Sequence, residues 1–110
     1  MISDTIQKIE ARLREADSVT PAQREELLQL LGTLQAEVAT LSQTHEEEAR
    51  SIEGFTFVST HEATRGGKNP ALIDHSLKGL AESVQGFEKS HPKLVQAVNS
   101  ICTMLSNLGI

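Results

Sequence analysis

The stretch that decides the fold is TPAQREELLQLLGTLQAEVATL, residues 20–41. It opens on Thr20-Pro21-Ala22-Gln23. The threonine can accept from the first free amides, the proline suits the first helical position, and the glutamine completes a capping box. Behind this start, Leu27, Leu31, Leu34, Val38 and Leu41 recur at alternating steps of four and three. An α-helix turns once per ~3.6 residues, so these side chains share one stripe, which Leu28 and Leu30 widen. A stripe of this kind packs against another helix, in a bundle or a coiled coil.

Extended forward, the same phase lands on His45, Glu48, Ile52 and Phe55, which predicts one helix over 20–53 ending near Gly54. Two readings of its polar part stand side by side. In one, His45 and Glu48 lie on the seam, set the register between helices, and make assembly pH-dependent as the imidazole charges. In the other, the favoured one, the helix has already reached solvent. The run Glu46-Glu47-Glu48 is read as a solvated helix face.

Working outward, Ile2, Ile6, Ile9, Leu13 and Ala16 predict a helix over 3–16, with Ser3 as N-cap and Asp4 at the positive end of its dipole. Asn69-Pro70 starts a helix over 70–89 carrying Ile73, Leu77, Leu80, Val84 and Phe87. Ser90-His91-Pro92 precedes a helix over 92–108 carrying Leu94, Val98, Ile101, Leu105 and Leu108, with Gly109 as its C-terminal cap. The alternation passes from Phe87 through His91 to Leu94 without losing phase, as in one long helix kinked at Pro92. Proline removes a helix hydrogen bond and disfavours the helical state in the residue before it, so a hairpin is the favoured alternative.

Residues 54–69 read as a flexible linker, because β-branched Thr56, Val58 and Thr60 suit a short extended segment and Gly66-Gly67 breaks it. Phe55 and Phe57 on this linker are either a partner-binding anchor or a cover folded over the bundle end. The expected fold is all-α: an antiparallel bundle of about four helices forming one domain over 1–110.

Composition narrows the function. A net charge of −5 over 110 residues, without any cluster of Lys and Arg, argues against a nucleic-acid partner. The acidity lies in the first half, where residues 1–54 carry eleven acids against five bases. A single cysteine, Cys102, fits a reducing compartment, and cytoplasm is the expectation. Neither a signal-peptide pattern nor a membrane-length apolar run is present in the sequence.

The run Phe87-Glu88-Lys89-Ser90-His91-Pro92-Lys93-Leu94 and the ending Leu105-Ser106-Asn107-Leu108-Gly109-Ile110 carry the strings F-E-x-S-H-P-x-L and L-S-N-x-G-I. Together they resemble a family of short bacterial proteins classed as a domain of unknown function. The resemblance covers the last forty residues or so well and the first two helices loosely, and the stretch 43–68 is longer than the family pattern. It implies a small helical protein of the bacterial cytosol and brings no activity, cofactor or catalytic residue with it.

Few side chains point to chemistry. The one Glu-x-x-His, Glu88 to His91, falls short of a di-iron site, which needs two such pairs and further glutamates. A bundle binding iron or zinc through His75, Glu88 and His91 with another chain's ligands is the competing functional class. Cys102 is expected to be a small core residue, and Gly66-Gly67-Lys68 lacks the spacing of a phosphate loop. A second stripe, Leu72, Ser76, Gly79, Ser83, Gly86 and Ser90, is small enough to admit a close neighbour, with exposure favoured. The apolar stripes on every helix point to a non-enzymatic interaction module without cofactors. The expected partner is a second copy, a dimer being favoured, or another protein.

Overall fold

The computed structural model describes residues 2–109, and their side chains from Asp4 onward. Five helices follow one another: α1 (Ile2–Glu15), α2 (Pro21–Ser42), α3 (Glu46–Thr64), α4 (Pro70–Ser83) and α5 (Pro92–Gly109). Among the described residues there is no strand. Short connections reverse the chain each time, so α1, α3 and α5 run one way and α2 and α4 the other. Contacts between helix ends agree: Arg12 Nε donates to Thr64 Oγ1 at 3.4 Å, and Lys68 Nζ to the Leu108 carbonyl at 2.8 Å.

The packing has two layers. α2 and α5 lie side by side and form one. α3 sits in the groove between them, flanked by α1 over α2 and by α4 over α5, so α3 touches every other helix. α1 and α4 do not touch each other, which leaves one side of α3 facing outward.

The four outer helices bury the expected stripes. Ile6, Ile9 and Leu13 come from α1, Leu27, Leu31, Leu34, Val38 and Leu41 from α2, Ile73 and Leu80 from α4, and Leu94, Val98, Ile101, Leu105 and Leu108 from α5. The capping box at Thr20 forms as read, with the Gln23 amide donating to Thr20 Oγ1 at 3.2 Å and the Thr20 amide to Gln23 Oε1 at 3.0 Å. Asn69 Oδ1 caps α4 by accepting from the Ala71 and Leu72 amides.

Several sequence expectations are corrected. Helix 20–53 is two helices, broken at residues 43–45. The hydroxyls of Thr40, Ser42 and Thr44 bond the carbonyls of Ala36, Ala39 and Leu41, competing with the helix ladder where it ends. Glu46, Glu47 and Glu48 then form the first turn of α3, where carboxylates complement the helix dipole. The acidic run is the solvated helix face expected of it, exposed on a helix start, whereas His45 is the residue before α3 instead of a seam position in α2.

Residues 54–64, read as linker and part-extended, are helical, so only 65–69 connect α3 to α4. The side chains buried along α3 are Ala49, Ile52, Glu53, Thr56, Ser59, Thr60, Glu62 and Ala63, with only one large apolar residue among them. A helix surrounded by four others has room for little more. Buried hydroxyls are satisfied by their own helix: Thr56 donates to the Ile52 carbonyl at 2.7 Å and Ser59 to Thr56 at 3.2 Å. Helix 70–89 ends at Ser83, and a turn with Gly86 at φ 97° leads to Pro92. The hairpin therefore forms and the kinked helix does not. Gly109 is inside α5 and does not cap it as expected, while the side chains of Ile2, expected on the α1 stripe, and Ser3, expected as its cap, lie outside those described.

One side chain had no signal in the pattern. Arg24, on the first turns of α2, donates from Nε to the Leu13 carbonyl at 3.0 Å and from Nη2 to the carbonyls of Ala16 and Val19 at 3.2 and 3.3 Å. A guanidinium thereby closes the negative end of α1 and fixes the 16–20 connection. Arg24→Ala should lower stability by about 2 kcal/mol, with Arg24→Lys recovering only part of it, as read by urea unfolding followed by circular dichroism.

Candidate interaction surface

The outward side of α3 is where apolar surface remains uncovered. Among the described residues, the large hydrophobic side chains left exposed are Phe55 at 40%, Val58 at 45% and Leu72 at 41%. Two are on α3 and the third is on α4, its neighbour in the outer layer. Phe55 and Val58 are three residues apart and share one helix face. Around Phe55 a shallow groove between α3 and α4 is lined by Glu48, Ser51, Gly79, Glu82 and Phe87.

Phe55 leans onto α4 because residue 79 is glycine: a Cβ there would overlap the Phe55 ring. The small-residue stripe on α4 is therefore a contact at this point, with Ser76 buried beside it, and the expectation of exposure is corrected. Gly86 differs, being in the turn with open space around its Cα and a positive φ that L side chains rarely adopt. Phe57, on the other flank of α3, packs against the core.

At the end of the bundle holding the α2–α3 and α4–α5 connections, Phe87 meets two histidines. His45 lies edge-on at 5.3 Å between ring centroids and His91 at 5.6 Å. Each imidazole Nδ1 is paired with the hydroxyl of the residue before it, Thr44 at 2.8 Å and Ser90 at 2.9 Å. His45 thus links two chain reversals and sets no helix–helix register.

Charged groups around α3 are arranged unevenly. Glu53 is only 5% exposed and its Oε2 has no partner, so burial pushes its carboxyl above the ordinary range while nearby Arg50 pulls the other way. Glu62 is also buried, with Oε1 3.4 Å from Arg65 Nε and Oε2 3.9 Å from His61 Nε2. The Cys102 thiol is half-buried against the Leu77 carbonyl, and desolvation raises its pKa, which disfavours the reactive thiolate at neutral pH.

The residues expected to bind a metal are dispersed. Glu88 turns back onto its own loop, accepting from the Gly86 amide at 2.9 and 3.0 Å, and His75 is exposed on α4. Among the described residues no three His, Cys, Asp or Glu side chains are placed to share a metal ion. No helix among the described residues is long and apolar enough to cross a membrane. Of the residues read as interaction candidates, Leu27, Leu31, Leu34, Val38, Leu41, Leu94, Val98, Ile101 and Leu105 are enclosed in this chain's own core. Val58 and Leu72 are exposed where the sequence reading singled out neither as an anchor. Val58 was hidden by its assignment to a linker.

Fold and surface together define a small all-α bundle with one uncovered helix face. The chain belongs to the family described as "Domain of unknown function (DUF4404)", whose pattern matches residues 2–110. The match takes in the central stretch as well as the carboxy-terminal strings that carry the resemblance. No curated protein and no solved structure shows significant similarity to it.

Two outcomes follow. In a double-mutant cycle read by urea unfolding, Gly79→Ala should stabilise a Phe55→Ala chain by about 1 kcal/mol, the helix-propensity gain, and lose or reverse that gain when Phe55 is present. A buried carboxyl with a raised pKa costs stability once ionised, so the penalty is absent below the unfolded value near 4.5 and grows as pH rises toward the folded value. Glu53→Gln should therefore raise stability at pH 7 and change it little at pH 4, in unfolding curves at both pH values.

Proposed function

We propose that this protein is a non-enzymatic helical interaction module of the bacterial cytoplasm that works by self-association through the outer face of α3 and the adjoining part of α4. The observation that carries this reading is the segregation of exposed apolar bulk. Among the described side chains, the large apolar ones of α1, α2 and α5 are more fully covered, whereas Phe55, Val58 and Leu72 are left exposed on two adjacent helices. Single exposed hydrophobes are ordinary, but neighbouring ones rimmed by polar groups mark surfaces that bind other proteins.

Acidic groups at the rim, Glu48 and Glu82, suit a partner that brings a positive charge to meet them. Reduced Cys102, half-buried and alone, fits an intracellular thiol with no structural disulfide to form.

Sedimentation equilibrium at micromolar concentration should give a mass above that of one chain. Val58→Asp should return it to the monomer mass without lowering the melting temperature by more than a few degrees, because Val58 packs little within its own chain. A wild-type chain that stays monomeric over the whole concentration range overturns the reading.

A further inference from the structure

The groove beside Phe55 carries a reading beyond self-association, since neither Val58 nor Leu72 lines it. It encloses about 450 Å³, within the range of sites that seat a small ligand or one side chain of a partner. α3 contributes Glu48, Ser51 and Phe55, which at steps of three and four share one helix face. α4 and the turn after it contribute Gly79, Glu82 and Phe87. Phe55 and Phe87 are two of three phenylalanines in a chain with neither Trp nor Tyr, so the groove gathers rings that the molecule otherwise lacks.

The charge of the groove is one-sided. Its described lining includes no Lys, Arg or His. Neither the Glu48 nor the Glu82 carboxylate has an ion pair or hydrogen bond with a described residue, whereas nearby Glu46 is paired with Arg50 at 2.9 Å and Glu88 accepts from the Gly86 amide. Lys78, next in sequence to Gly79, lines a different cleft, toward α5. The carboxy-terminal end of α4, the negative end of its dipole, borders the same groove. Ser83 there donates its hydroxyl proton to the Leu80 carbonyl at 2.6 Å, which leaves its oxygen as an acceptor.

Aromatic faces and free carboxylates are both complementary to a cation. A planar guanidinium suits them better than an ammonium, because it stacks on a ring and donates from its edge to more than one acid. A second copy of the chain brings the same net charge of −5, so the matching segment belongs to a different, basic protein. We propose that this groove binds an arginine side chain presented by a basic segment of another protein, with Glu48 and Glu82 as acceptors and the phenylalanine rings as its walls. Both rings are already positioned, Phe55 on Gly79 and Phe87 between His45 at 5.3 Å and His91 at 5.6 Å, so binding requires little ordering of the site.

The test is a titration of the isotope-labelled full chain with acetyl-Gly-Arg-Gly-amide at low salt and neutral pH, followed by nuclear magnetic resonance. The Ser51, Gly79 and Gln85 amides should move saturably, and the arginine methylenes should show Overhauser contacts to the Phe55 and Phe87 rings. The peptide with Lys in place of Arg should bind about threefold more weakly, and the one with uncharged citrulline about tenfold more weakly. Glu48→Gln and Glu82→Gln should each raise the Kd about threefold, whereas Glu47→Gln, an exposed acid outside the groove, should leave it unchanged. All three positions are exposed, and the amide spectrum of each variant checks its fold. Shifts that never saturate, equal binding of the citrulline peptide, or a Glu47→Gln effect as large as that of Glu48→Gln overturn the proposal. So do groove amides that respond to dilution of the protein alone and not to the peptide, since a second copy then fills the groove. A monomeric chain that binds the peptide as expected supports this inference while the self-association reading falls.

Discussion

The structure depends on α3 being thin. A helix that touches four others can carry large side chains toward at most one or two of them before its neighbours are pushed apart. Beside the larger Ile52, Glu53 and Glu62, α3 meets the constraint with Ala49, Thr56, Ser59, Thr60 and Ala63 on its covered sides. The outer helices bring the volume, through leucine, isoleucine and valine stripes that close over it. The hydroxyls buried by this arrangement do not reach across to other helices for partners. Thr56 and Ser59 satisfy themselves on carbonyls of the same helix, so the polar interior adds little to interhelical cohesion and leaves few bonding groups unmet.

The same constraint explains what the sequence disclosed. Every helix that packs on one side was legible, because one-sided packing writes a four-three alternation of large apolar residues: α1, α2, α4 and α5 all carry it. The cap at Thr20 and the proline starts at Pro70 and Pro92 placed their beginnings to within a residue or so. α3 packs on several sides with small residues, which removes the alternation and resembles a polar linker. Its β-branched Thr56, Val58 and Thr60 strengthened that impression, since strand preference reports side-chain shape and tertiary surroundings override it. The acids at 46–48 were the available sign of a helix start, and they were overshadowed by the phase running on from Leu41. Arg24 reaches from α2 to carbonyls of the preceding connection, and no periodicity records such a reach.

For the candidate surface the outcome is mixed in an instructive way. Phe55 attracted notice as an aromatic, whereas Val58 and Leu72 are remarkable only for where the fold leaves them. The uncovered side exists because α1 and α4 fail to meet across α3, a property of five-helix topology that four expected helices did not contain. Long stripes on α2 and α5 suggested association between chains, and the extra helix absorbs most of that demand inside one chain. What remains outside is a narrower surface on a different element.

The central helix also raises a question of mechanical definition. Large side chains interlock like teeth and fix how far one helix is displaced along another, whereas small ones leave a smooth rod. Toward most of its neighbours α3 is such a rod, and its axial position is specified by the Phe55 ring seated against Gly79 of α4 and, at its last turn, by Arg12 on Thr64. The lengths of the two connections that flank it, 43–45 and 65–69, are then as much a part of the packing code as any core residue. A one-residue insertion in either would press the rod, by a rise of about 1.5 Å, against the seat of Phe55 on Gly79.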